Sequence, residues 1–121
     1  MDEIGIMLYG YNKADALEVQ SALAAGLGRT PCLLSASGKE DQLLIEALEK
    51  QDQEFFEEKE TPILLFLGFG DEDIQTALKA FPDGIRRAIF CGLTEENIRW
   101  KVSVLIEHLQ EEDRYWKSKK S

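Results

Sequence analysis

A chain of 121 residues has room for one domain, large enough to bury roughly two-thirds of the surface its unfolded form exposes, so neither a second domain nor a covalent staple is expected. Its 14 basic and 23 acidic residues leave a net charge of −9, which repels phosphate backbones and anionic head groups and argues against nucleic acid or a membrane surface as partner. The longest apolar run, Ile63 to Phe69, falls far short of the ~20 residues that cross a bilayer, and Cys32 and Cys91 lie in no CxxC spacing; with a start, Met1-Asp2-Glu3, unlike a secretory leader, these features predict a reduced, cytoplasmic protein.

Ile4 to Tyr9 is apolar without polar alternation, the pattern of a strand covered on both faces, and Gly10-Tyr11 then Asn12 opens a helix over Asn12 to Ala25. A shorter strand, Cys32-Leu33-Leu34, follows. Ser37-Gly38-Lys39-Glu40 reads as a capping box before a helix over Lys39 to Lys50. Gln51 to Thr61 is acidic and polar apart from Phe55-Phe56 and reads as a connector; Phe55, seven residues beyond Leu48, is expected to anchor it to the core. Ile63 to Leu67 repeats the covered-strand pattern and again ends in Gly-aromatic, Gly68-Phe69, before a helix over Asp71 to Phe81. Ala88 to Cys91 is the fourth strand, and Thr94-Glu95-Glu96-Asn97 caps a last helix reaching about Tyr115.

The same plan thus occurs twice, with Gly10 and Gly68 58 residues apart and Ser37 and Thr94 57 apart. The expected fold is a single α/β domain over residues 1–121, with two similar βαβα halves (1–50 and 62–116) joined by the connector 51–61. A four-stranded, mainly parallel sheet in the order 2-1-3-4 with helices on both faces fits the alternation. Packing of the halves about a pseudo-two-fold axis, which makes the central strands antiparallel, is also consistent with the pattern.

In a parallel sheet the loops after the strands converge, and the candidate ligand-binding residues lie there: Tyr11, Asn12, Phe69, Asp71, Cys91, Thr94, Asn97 and Trp100. Each also has a plain structural purpose as a turn glycine's neighbour, a helix cap or a packed aromatic. Ser37-Gly38-Lys39 lacks the glycine, at Leu33, and the hydroxyl, at Glu40, of a phosphate-binding loop. Cys91 has Glu95 and Glu96 nearby, where an activated thiolate needs positive charge. Asp71, Glu72 and Asp73 suit the first turn of a helix, and His108 with Glu112 has the spacing of a surface pair. No catalytic residues, metal site or cofactor are therefore expected.

The last helix is the longest. Ile98, Val102, Leu105, Leu109 and Trp116 follow near-heptad spacing, interrupted at Glu112, and outlast a small sheet. Leu109, Tyr115 and Trp116 are the candidate interface residues for homodimerisation, while Lys117-Ser118-Lys119-Lys120 reads as a solubilising end.

Leu64 to Phe69, the acids Asp71 to Asp73, Ala88 to Phe90 and then Thr94-x-x-Asn97-x-x-Trp100 resemble a family of small bacterial proteins catalogued only as a domain of unknown function. The resemblance covers about Pro62 to Glu112 and departs at Cys91-Gly92-Leu93, where the family's strand runs straight into the threonine. It implies no activity. The sequence as a whole predicts a non-enzymatic binding or interaction module that pairs with itself, with a small-molecule or enzymatic site at the carboxyl ends of the strands as the alternative.

Overall fold

The computed structural model describes residues 4–49 and 55–120. Gln51 to Glu54 of the connector, and Lys50 at the expected end of the second helix, lie outside the described residues. The elements follow in the order β1 (Gly5–Tyr9), α1 (Lys13–Leu27), β2 (Cys32–Ser35), α2 (Leu44–Glu49), β3 (Ile63–Leu67), α3 (Asp71–Ala80), β4 (Ile89–Gly92), a 3-10 turn (Asn97–Arg99) and α4 (Val102–Lys120). The sheet order is β2-β1-β3-β4, with the two apolar strands inside as expected.

The sheet is mixed. β1 pairs with β2 and β3 with β4 in parallel, but β1 and β3 are antiparallel, with Met7 opposite Leu65 at the centre of the register. The expected convergence of all four loops after the strands is thereby corrected: β1 and β2 end at one edge of the sheet, β3 and β4 at the other. The reason lies in the return path. A parallel β3 needs a crossover that carries the chain back to the starting edge of β1. The six residues of α2 span only about 9 Å, and residues 57–59 are hydrogen-bonded to the carboxyl ends of β1 and β2, so β3 starts where β1 stops.

Alternate side chains along the central strands feed two cores. Ile6, Leu8, Leu64 and Phe66 pack with Ala16, Val19 and Leu23 of α1 and Ala77 of α3 on one face. Met7, Ile63 and Leu65 pack with Leu44 and Ala47 of α2 and Val102, Leu105, Ile106 and Leu109 of α4 on the other. Both central strands are covered on both sides, which is why their sequences carry no polar alternation.

Local chemistry sets the helix ends. Asn12 Oδ1 accepts from Asp15 N at 2.8 Å to start α1, and Gly28, at φ +77°, ends it. α3 stops at Ala80 ahead of Phe81-Pro82, because the residue before proline is held out of the helical region. α2 and α4 begin later than the caps predict. Leu44 N donates to Trp100 O at 2.8 Å and Val102 N to Gln42 O at 2.9 Å, so the two helix starts pair with each other around the Leu43–Lys101 bridge. Residues 39–43 are drawn into turns, and the proposed capping box at Ser37 and Glu40 does not form; Glu46 Oε1 accepts from Leu43 N instead. Phe55 is half-exposed, while its neighbour Phe56 packs on the core and is the connector's apolar anchor.

α1 and α3 meet closely at Gly26, where an added Cβ would lie 2.5 Å from Ala80 Cβ. Alanine is the better helix former by about 1 kcal/mol, but overpacking two helices costs about 1–3 kcal/mol. Gly26→Ala is therefore expected to lower the urea unfolding midpoint, and Ala80→Gly in the same chain to recover most of the loss.

Candidate functional site

The strand-end residues singled out from the sequence fall into two groups on opposite edges. Tyr11 and Asn12 follow β1. Phe69, Asp71, Cys91, Thr94, Asn97 and Trp100 follow β3 and β4.

At the first edge the chain's own connector covers the strand ends. Ser35 Oγ donates to Phe55 O, Glu57 N donates to Ser37 Oγ at 3.2 Å, and Lys59 N donates to Gly10 O at 3.0 Å. Gly10 sits at φ +87°, and a Cβ there would lie 2.7 Å from Thr61 O, so the turn admits glycine alone. Arg86 ties the layers together: its guanidinium donates to Gly10 O at 2.5 Å and to Lys59 O at 2.8 Å, and lies 5.5 Å from the centre of the Tyr11 ring. Tyr11 is fully buried, and its hydroxyl donates to Arg86 O at 2.6 Å. Burial pushes the phenol well above its ordinary range, with Arg86 pulling the other way. Tyr11 is thus a residue of the first core. Asn12 caps α1 and donates to Glu58 at 3.1 Å. Sequence reasoning passed over Arg86 because its partners are backbone carbonyls set by the fold; the one local signal was a basic pair, Arg86-Arg87, just ahead of a strand. Arg87 lies over the rings of Phe81 and Phe90 at 5.7 and 5.1 Å.

At the second edge the residues do meet, but their polar atoms satisfy one another. Asn97, 6% exposed, accepts from Thr94 N at 2.8 Å through Oδ1 and donates through Nδ2 to Gly92 O at 3.0 Å, while Thr94 Oγ1 accepts from Asn97 N at 2.9 Å. This reciprocal cap serves the 3-10 turn, not α4 as the sequence suggested, because α4 starts only at Val102. Trp100 packs on the second core with its ring edge-on to His108 at 5.2 Å, and Phe69 packs against Phe66 at 4.8 Å. Asp71 is exposed in the first turn of α3. Burial and then the charge of Glu112 push the Cys91 thiol upward, the reverse of what a nucleophile needs. Among the described residues no three His, Cys, Asp or Glu side chains gather as for a metal, and His108 and Glu112 form an exposed pair at 3.4 Å.

The third region is the far end of α4. Its buried positions stop at Leu109, which belongs to the second core and is not on the surface. Tyr115 and Trp116 are 54% and 60% exposed and meet edge to face at 5.5 Å. Beside them a groove of about 390 Å³ is lined by Glu60, Thr61, Gln110, Asp113, Arg114 and Lys117.

Residues 62–116 match the family model described as "Domain of unknown function (DUF3783)". The matched stretch runs from the start of β3 through most of α4, where the sequence resemblance lay. No curated protein and no solved structure matches the chain. No helix among the described residues is long and apolar enough to cross a membrane.

Two outcomes follow from the second edge. Asn97→Ala removes the side-chain acceptor of Thr94 N and one of the donors to Gly92 O and is expected to cost about 1–3 kcal/mol in chemical denaturation. Because its pKa is raised, Cys91 carries less thiolate at any given pH than an ordinary cysteine; timed alkylation at neutral pH, read by mass spectrometry, should modify exposed Cys32 well before Cys91.

Proposed function

We propose that this chain is a non-enzymatic interaction module that associates with itself through the far end of α4. The observation that carries this reading is the exposed aromatic pair Tyr115 and Trp116 on a helix that runs past the last residue it buries. Nineteen helical residues extend about 28 Å, longer than the about 17 Å of a five-residue strand. Exposed aromatic side chains grouped in this way are typical of the buried centre of an interface. What weighs against a ligand site at the strand ends is the division of the candidate residues between two edges and the engagement of Tyr11, Asn12, Thr94 and Asn97 with their own chain.

The reading includes an internal duplication. The paired residues Met7 and Leu65, and the bridged residues Leu43 and Lys101, are each 58 apart, and α1 and α3, like α2 and α4, start 58 apart. Gly5 opposite Cys32 and Ile63 opposite Ile89 open the two parallel pairs in equivalent register. A two-fold axis normal to the sheet through Met7 and Leu65 accounts for all of these relations. A cytoplasmic site of action belongs to the same proposal and is supported by the two free thiols.

Light scattering coupled to size exclusion tests the association. A dimer has twice the 13.7 kDa chain mass; Tyr115→Ala with Trp116→Ala should return a monomer with an unchanged melting temperature, since neither residue is in a core. A wild-type monomer at 100 µM sinks the proposal.

A further inference from the structure

Asp83-Gly84 is the one Asp-Gly pair in the chain, and it stands exposed in the turn between α3 and β4. The turn's backbone hydrogen bond, from Ile85 N to Pro82 O at 3.4 Å, is longer than the ordinary range and does not engage Gly84 N. A Cβ at Gly84 would meet nothing within 4 Å, so the space around this peptide is open. Elsewhere the amide after an aspartate or asparagine is held. Ala16 N, Gln42 N, Ile74 N and Ile98 N, which follow Asp15, Asp41, Asp73 and Asn97, donate to backbone carbonyls at 2.9 to 3.1 Å, and Asp113 lies within α4. Asn12 and Asp71 precede Lys13 and Glu72, whose side chains crowd an approach that glycine leaves clear.

We infer that Asp83 is a site of spontaneous covalent modification, at which the turn isomerises to isoaspartate. Gly84 N attacks Asp83 Cγ: the N–Cγ bond forms, a Cγ–O bond of the protonated carboxyl breaks, and the oxygen leaves as water, taking the amide proton. The product is a five-membered succinimide. Water then adds at the main-chain carbonyl carbon of Asp83 and the bond from that carbon to Gly84 N breaks, the hydroxyl staying on carbon and the proton returning to nitrogen. Over both steps no atom is gained or lost, and no oxidant or reductant takes part. The main chain now runs through Cβ and Cγ of residue 83, one atom longer than before, and the old carbonyl carbon has become a carboxylate side group.

The lengthened turn leads straight into Arg86. Its carbonyl accepts from the Tyr11 hydroxyl, and its guanidinium donates to Gly10 O and Lys59 O. An extra backbone atom two residues upstream displaces the group that closes the first edge of the sheet, so isomerisation is a slow ageing of that closure.

The test incubates the full chain for several weeks at physiological temperature in mildly acidic buffer, beside Gly84→Ala and Asp83→Glu. Gly84 is not among the glycines at positive φ, so alanine fits its backbone, and melting temperatures before incubation check that both variants are folded. Electron-transfer fragmentation of digests, which marks isoaspartate by cleaving its Cα–Cβ bond, should place the isomer at residue 83 of the wild type. Gly84→Ala should form it roughly tenfold more slowly, because a Cβ there hinders the approach of the nitrogen. Asp83→Glu, which would need a six-membered ring, should form none. Aged wild type should melt below the unaged protein while aged Asp83→Glu keeps its temperature. No isoaspartate at residue 83, as much of it at another aspartate or asparagine, or equal rates in wild type and Gly84→Ala overturns the site. Isomer at residue 83 with an unchanged melting temperature overturns its link to Arg86.

Discussion

The antiparallel pairing of β1 with β3 is the contact on which the rest of the molecule depends. It sets Ile6 opposite Phe66 and Leu8 opposite Leu64 on one face, and Met7 opposite Leu65 on the other, so each core is drawn from both central strands. It also brings the starts of α2 and α4 together tightly enough for their backbones to exchange hydrogen bonds at 2.8 and 2.9 Å. A slip of one residue would turn each apolar side chain of one strand toward the wrong face. The register is held by both cores at once.

The same pairing governs where chemistry can occur. In an all-parallel sheet the four loops after the strands share one crevice, which is why ligands collect there. Here they are divided, and each edge has a separate structural solution. Arg86 and residues 55–59 close the first, and the Thr94–Asn97 cap draws the second in on itself. The polar groups that a sequence reader assigns to a ligand are those the fold needs for its own carbonyls and amides. Among the described residues, Tyr115 and Trp116 near the end of α4 are the most exposed of the large apolar side chains.

Much of the fold was legible because it rests on local patterns. Uninterrupted apolar runs at Ile4–Tyr9 and Ile63–Leu67 mark strands covered on both faces, and Asn12 marks the start of α1 through a side-chain oxygen at the right spacing. What was not legible is long-range. The direction of β3 is decided by where residues 55–61 are fastened, and the late start of α2 by its pairing with Trp100, neither of which leaves a local mark. Ser37 looked like a cap because its hydroxyl must accept from some amide; the amide it serves is that of Glu57, twenty residues away. Tyr11 looked like a pocket residue because aromatic groups after strand-end glycines often are, but its ring fills the first core. Tyr115 and Trp116 were legible as surface residues because the apolar stripe of α4 outlasts what five-residue strands can cover.

The direction of β3 against β1 is most directly measured by nuclear Overhauser effects between backbone protons. Antiparallel pairing in the register of Met7 with Leu65 predicts strong Hα–Hα effects between alternate opposed residues of the two strands. Parallel strands bring no Hα pairs that close. Their absence, with interstrand Hα–HN effects in a parallel register, would return the four loops to one edge and contradict the account.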